Sequence, residues 1–510
     1  MMYTVNATGQ HGLIKDISPT ELPDNAWSDG RNIRFRDETA ALFDGQSAVY
    51  DPPSIQPYYL IPVVNGANRL WAYPGLTAIY ASDGTAHTNI SRVTGGAYAA
   101  TADNRWNGGV LGGITILNNG VDIPQQWASS LASVCVGLSN WPSATAKVVR
   151  PFKYYLVALG MNEGGSVSDV RWSHPADPGT VPSSWSLTDP TKDCGQVNLA
   201  ETSDSVVDCL PLRGANIIYK THSCYTMQYI GGNDIFRFDK LSGESGMLTT
   251  DCAREFSGGH FVLTADDVVV NDGVGITSII NKRMRRALFN AIDTTYYNRS
   301  FVVHNPSKSE MWVCIPEVGQ TSATLAYVWN VKENTWTVRD LPNVTFANAG
   351  MISLAASNTW DADSGAWDDD ASLWDQSESF ASQKKIMMAT ASQRMYAADY
   401  GTTFSGTNIP AYLEREGIHM GSPEIVKTIT RIIPRINAIS GTQVFVRIGT
   451  QMQPKDSVTW EAEKTFTVGS DIKIDSLATG RLFTVRFRSD TSRAWSLDGF
   501  EIDYQPVSGY

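Results

Sequence analysis

Residues 301–338 read FVVHNPSKSE MWVCIPEVGQ TSATLAYVWN VKENTWTV, short apolar runs separated by polar turns. Phe301–His304 is a short apolar run that turns at Asn305-Pro306-Ser307 into Met311–Ile315. Thr324–Asn330 then turns at Lys332-Glu333-Asn334 into Thr335–Val338. Asn and Ser close turns through their own side chains, Pro presets φ, and the runs between are too short and too β-branched for helices. The stretch therefore predicts four short antiparallel strands joined by tight connections.

The same grammar extends along the chain. Asn68–Tyr73 and Thr77–Ser82 flank Pro74-Gly75, Val110–Leu117 runs into Asn118-Asn119-Gly120, and Val148–Gly160 breaks at Glu163-Gly164-Gly165. Ile217–Tyr219 and Cys224–Ile230 precede Gly231-Gly232, and His260–Thr264 pairs with Asp267–Val270 around Ala265-Asp266. Hairpins begin near 68, 110, 150, 217, 260 and 300. Most are roughly 35–45 residues apart, the span of one four-stranded propeller blade. Val328–Trp336 has the form of a Kelch-type hairpin, with an outward Trp329 and Trp336 flanking a polar turn. The expectation is an all-β chain: a β-propeller-like domain of five to seven short four-stranded blades over 61–400, and a C-terminal β-sandwich over 405–510. A sandwich throughout is the competing arrangement. Residues 1–60 are expected to supply an N-terminal arm and closing strands. The sandwich follows from one-sided alternation: Val444, Val446 and Ile448 against Gln443, Phe445 and Arg447, then Phe483, Val485 and Phe487 against Arg486 and Arg488.

Two segments break the pattern. Ser278–Ile292 places Ile279, Ile280, Met284, Leu288, Phe289 and Ile292 on one helical face and Lys282, Arg283, Arg285 and Arg286 around the rest. It reads as a solvated helix over a blade edge, or as a basic ridge that docks an acidic neighbouring subunit. At 358–380, Trp360, Trp367 and Trp374 recur among Asp361, Asp363, Asp368, Asp369, Asp370 and Asp375. Several carboxylates in one loop suit a hard cation, but the EF-hand spacing and its terminal Glu are missing, so no metal site is assigned. The loop is instead the candidate channel-facing or gate element, with an outer-surface loop as the alternative.

Catalytic signatures are absent from the sequence. Seven histidines form no HExxH or HxH, the six cysteines form no CxxC, and neither a GxSxG elbow nor a phosphate-binding glycine loop occurs. His222 and Cys224, placed on one strand two residues apart, lack a third orienting group. A carboxylate pair for glycoside cleavage cannot be picked from 52 acids. No cofactor is implied. Forty basic against 52 acidic residues leave a net charge of −12, the wrong sign for a groove that captures nucleic acid by neutralising phosphates. An acidic wall that lets DNA slide is compatible with it. No run of about 18 apolar residues suggests a bilayer-spanning helix, so no membrane insertion is expected. The lack of a visible secretory signal points to assembly in a cytoplasm.

The opening, from Gly12-Leu13-Ile14-Lys15-Asp16 to Glu21-Leu22-Pro23-Asp24-Asn25-Ala26-Trp27-Ser28-Asp29-Gly30-Arg31-Asn32-Ile33-Arg34-Phe35-Arg36, resembles the start of the tail nozzle, or tail hub, proteins of short-tailed bacteriophages. Val170–Gly179 with Trp185 and Asp189-Pro190-Thr191 is similar to that family's long blade loop, and Val328–Trp336 and Met395–Gly401 add to the likeness. The resemblance implies a structural virion protein rather than an enzyme. It implies a homo-hexamer beneath the head-to-tail adaptor ring that prolongs the DNA channel and retains the packaged genome. Tail fibres or tailspikes would attach around it, a needle or plug would close its lower end, and double-stranded DNA would pass without specific binding. The alternatives are a carbohydrate-active tail protein, because 15 Trp and 20 Tyr can stack on sugars, and a receptor-binding module at the tail tip.

Overall fold

The computed structural model describes residues 1–352 and 384–508, apart from 67, 164, 165 and 233. Its described residues are almost entirely short antiparallel strands. Five separate four-stranded sheets follow one another along the chain, over 61–89, 107–137, 146–198, 206–242 and 253–278. A seven-stranded sheet then contains two more blades. The strand Thr335–Met351 is long enough to be the outer strand of blade six, against Ala323–Asn330, and then the inner strand of blade seven, against Lys384–Thr390. Blade seven is completed by Met395–Ala398 and by Gln46–Ala48 from the far end of the chain. The described residues thus form a seven-bladed propeller closed by an N-terminal strand.

Side-chain bonds between neighbouring blades trace the ring. Asn65 Nδ2 donates to Ser129 O (2.9 Å), Arg150 Nη1 to Gly108 O (2.9 Å), and Asn348 Nδ2 to Leu60 O (3.0 Å). Two bonds from backbone amides continue it: Asp251 N to Asp208 Oδ2 (3.0 Å) and Val302 N to Asp251 O (2.9 Å). Apolar side chains fill the spaces between blades. Trp329 and Trp336 face each other across their hairpin and stack (centroids 6.4 Å) against Phe261 of blade five. Both tryptophans are buried, which corrects the outward placement expected of them. The turn between them is as read: Asn330 Oδ1 accepts the amides of Lys332 (3.0 Å) and Glu333 (3.3 Å), while Asn334 takes a positive φ.

The sandwich consists of two six-stranded sheets. One runs 33–36, 39–42, 495–508, 426–438, 474–480, with 2–6 added to 495–508; the other runs 29–31, 409–418, 482–491, 443–451, 459–460, with 464–467 added to 443–451. The alternation read from the sequence is realised, with Val444, Val446, Ile448, Phe483, Val485 and Phe487 all buried between the sheets. Trp27 seals the centre, 6.2 Å from Phe487 and 6.3 Å from Phe500, and its indole donates to Thr8 O at 2.7 Å. Four of the first strands, Met2–Asn6, Asp29–Arg31, Ile33–Arg36 and Thr39–Leu42, therefore belong to the sandwich rather than to a separate arm, and only Gln46–Ala48 closes the propeller. These N-terminal strands span three to five residues each and find partners far away in the chain, so their own composition does not announce the sheet they join.

Candidate functional site

The basic segment is built differently from its sequence pattern. The helix expected over 278–292 is seven residues, Arg285–Ala291. Ser278 ends the outer strand of blade five, opposite Val269, and Lys282 turns the chain with φ +58°. That strand satisfies backbone groups a longer helix would need, and no Ser, Thr, Asp or Asn stands at the helix's own N-cap, Met284. The apolar face is as read, with Ile280, Met284 and Leu288 buried.

The four basic residues divide into two pairs. Arg283 and Arg285 are held by their own chain. Arg283 Nη1 donates to His11 O (3.2 Å), and its carbonyl accepts Lys15 N (2.7 Å) and Asp16 N (3.1 Å). Arg285 Nε donates to Asp266 O at 2.7 Å and its Nη2 meets the Asp266 carboxylate at 3.3 Å. Lys282 and Arg286 are exposed and have no carboxylate within ion-pair reach among the described residues. They border a groove of about 420 Å³ that Ala265, Asp266, Arg285 and Phe289 also line. Asp16, from the opening stretch of the chain, lines it too and accepts Arg286 N at 3.2 Å. The groove thus carries three cationic and two acidic side chains around Ala265 and Phe289, and is anchored by the chain's own opening segment.

The ring's centre is filled by charge. Arg150, on the inner strand of blade three, makes a two-pronged pair with Asp208 of blade four (2.8 and 2.7 Å) and reaches Asp251 ahead of blade five (3.0 Å). It also contacts the Tyr59 hydroxyl ahead of blade one (3.3 Å), and Arg254 joins Asp251 at 3.1 Å. Asp208 and Asp251 are fully buried. Burial works against the charged Asp251 carboxylate, yet Arg150 and Arg254 outweigh it and hold its pKa below the usual carboxylate range. Side chains rather than an open bore therefore occupy the propeller's centre at this level.

A second buried network joins the two domains. Arg34 of the sandwich meets Glu310 (2.6 Å), Asp44 (2.9 Å) and Asp399 (2.9 Å), and Asp399 also pairs with Arg339 of blade six (2.9 Å). Around it Asn32 N donates to Val338 O (2.8 Å), Leu13 N donates to Trp336 O (2.9 Å), and Thr337 Oγ1 donates to Ile33 O. Neither network is legible in the sequence. Arg34 stands in an alternating run, Ile33-Arg34-Phe35-Arg36, whose polar face would by default be solvent, and only the blade beneath converts it into an interior surface.

His222 and Cys224 do not form a pair. The strand begins at Cys224, His222 lies exposed in the turn before it, and burial pushes the Cys224 thiol up to about 12, far from a thiolate nucleophile. Among the described residues no group of three His, Cys, Asp or Glu side chains is arranged to hold a metal. Asp361, Asp363, Asp368, Asp369, Asp370 and Asp375 lie outside the described residues.

No family model and no curated protein matches the chain. Solved structures with a similar arrangement include PorZ, a surface component of the type-IX secretion system of Porphyromonas gingivalis, at 9% identity and TM-score 0.41. That alignment covers 93% of this chain and 62% of PorZ, so the chain spans less than two thirds of its neighbour's length. The AfRom2 CNH domain aligns at 7% identity and TM-score 0.36 over 70% of this chain and 99% of the domain. An exo-β-1,3-galactanase from Phanerochaete chrysosporium aligns at 7% identity and TM-score 0.28 over 91% of this chain and all of the enzyme. All three likenesses are too weak to bear on function.

Proposed function

We propose that this chain is the structural subunit of a short-tailed phage's tail nozzle, six copies forming a ring below the portal adaptor. The observation that carries the reading is the position of the family-like opening, 12–36. It is the segment that bolts the sandwich onto the propeller, through Leu13, Asn32 and the buried Arg34. A wall that retains a pressurised genome needs two domains joined as one stiff body, and paired charges at a largely buried junction resist sliding because any displacement strands them. Because the propeller's centre is filled, the DNA channel of this reading runs between subunits, where a chain of net charge −12 repels phosphates and lets the duplex slide. The exposed Lys282 and Arg286 of the basic groove are the proposed contact with an acidic neighbouring subunit. The adaptor ring, fibres or tailspikes, and a needle or plug are the remaining proposed partners, and the virion tail is the proposed location.

The test is cryo-electron microscopy of the virion tail, with mass photometry of the protein alone and with its adaptor ring. A sixfold ring coaxial with the DNA is the expected result; a peripheral or threefold position refutes the nozzle. One observation favours a second reading as a receptor-binding or carbohydrate-active tail protein. Tyr154 is 62% exposed and Tyr229 47% exposed, with the Lys153 ammonium 5.1 Å from the Tyr229 ring, which is the make-up of a sugar-stacking surface. Clearing of a host capsule, or direct binding to host cells, by the purified protein would favour that reading.

A further inference from the structure

In an up-and-down blade the second-to-third connections and the links to the next blade emerge on the same face. On that face a cleft of about 110 Å³ opens near the ring's centre, lined by Gln56, Thr101, Asn104, Arg105, Ser322 and Thr345 among others. These residues come from the links ahead of blades one and two, from the second-to-third connection of blade six, and from the passage between blades six and seven. Arg105 is one of the two charged groups that line the cleft. Its Nη1 donates to Ser300 O (2.6 Å) and Asn298 O (3.2 Å), and its guanidinium carbon lies 5.6 Å and 5.5 Å from the ring centres of Phe301 and Phe346. Its Nε and Nη2 donate to no acceptor, and no carboxylate lies within ion-pair distance among the described residues.

The neighbouring arginine makes the contrast. Arg299 also borders the cleft, but it is spent: Nη2 and Nε meet Asp103 at 2.9 and 3.1 Å, and Nη1 donates to Thr321 O at 2.7 Å. Burial pulls the Arg105 pKa below its ordinary value, and Asp251, beyond hydrogen-bond reach, offsets this only in part. The other groups that face it electrostatically are Arg254, Cys252 and Tyr59, none of which supplies an adjacent negative charge. The lining adds neutral hydroxyl and amide groups from Gln56, Thr101, Asn104 and Ser322, and no acid. Two parallel N–H donors on a half-buried guanidinium match two oxygens of one anion. The volume sets the size, since pockets for drug-sized or nucleotide-like ligands start at about 300 Å³.

We propose that this cleft binds one small free oxyanion of the size of inorganic phosphate, held in two-pronged fashion by Nε and Nη2 of Arg105 with neutral donors from the rim. Binding it neutralises a half-buried charge that has no ion-pair partner and ties together the links around it.

The experiment is thermal unfolding of the full chain across a titration of sodium phosphate, with sodium chloride at equal ionic strength as control. The expected result is a saturable rise in melting temperature of about 2–4 °C in phosphate and not in chloride. Arg105→Gln is expected to abolish the rise. Because that variant also loses its backbone bonds and can fail to fold, Ser322→Glu is the second variant, placing a carboxylate at the cleft's rim. It is expected to fold and to lose the phosphate response. An equal rise in chloride, or a full phosphate response in Ser322→Glu, overturns the proposal. Displacement of phosphate by a short single-stranded oligonucleotide would assign the cleft to a nucleic-acid phosphate and overturn the free-ion assignment.

Discussion

Replacing Asp399 by asparagine removes one negative charge from the junction of sandwich and propeller while keeping the side chain's size. Asp399 has φ +54°, a conformation that asparagine tolerates as well as aspartate, so the backbone is not the variable. In the native protein its carboxylate accepts Arg34 Nη2 (2.9 and 3.0 Å), Arg339 Nη1 (2.9 Å) and Asn305 Nδ2 (2.7 Å). After the substitution Arg34 keeps Glu310 and Asp44. Arg339, 0% exposed at its side chain, loses its paired negative charge and keeps the neutral asparagine oxygen, distant contacts to the carbonyls of Asp44 (3.5 Å) and Gly45 (3.4 Å) and the rings of Phe43, Trp312 and Phe404. The cost is therefore that of stranding one buried guanidinium, about 3–5 kcal/mol. Urea denaturation followed by tryptophan fluorescence measures it. Adding Arg339→Met removes the stranded charge and is expected to return half or more of the loss, a coupling that a double-mutant cycle reads directly. A loss below about 1 kcal/mol in the single variant, or additive losses in the double, refutes the assignment. Acid sharpens the test. Burial disfavours the Asp399 carboxylate, but Arg34 and Arg339 outweigh burial and hold its pKa well below the usual range. Its contribution is thus complete above the unfolded pKa of about 3.9 and is lost as pH falls below it. The asparagine variant should show a flatter dependence of the urea midpoint on pH below about 4.

Trp336→Ala should destabilise the protein by about 3–5 kcal/mol, because a fully buried indole that spans blades five and six is replaced by a void; an unchanged melting temperature would remove it from the core. His260 is fully buried, bonded to the Tyr219 hydroxyl (2.9 Å) and Pro211 O (2.9 Å), and burial lowers its pKa. The unfolded chain therefore takes up the proton first, so stability should fall as pH drops below about 6.5, and His260→Gln should show less of this loss in melting scans. Lys282→Glu with Arg286→Glu should leave the melting temperature of the free subunit unchanged and reduce ring formation in mass photometry, whereas normal ring assembly would exclude the groove as a subunit contact.

Whatever depends on neighbours a few residues apart is legible in the amino-acid sequence itself. The hairpin over 323–351 turns at Asn330–Asn334 because those side chains and φ values make the turn locally, and Val444, Val446 and Ile448 face inward because a strand sends alternate residues to opposite sides. The roughly forty-residue recurrence of hairpins carries the blades in the same way. Contacts between distant segments are set by how the sheets stack. Trp329 and Trp336 turn inward because blade five offers Phe261 to stack on, and the helix shrinks to Arg285–Ala291 because blade five claims Ile276–Ser278 as its fourth strand. The first 42 residues enter the sandwich through partners such as Gly499 and Glu414, hundreds of positions away. The same holds for charge. Arg34 and Asp399 are separated by 365 positions, and Arg105 is set apart by the carboxylate it does not have. A local pattern states which face of a strand is apolar; which charges that face buries, and whether each finds its opposite, is set by the register and stacking of sheets that meet only in the folded chain.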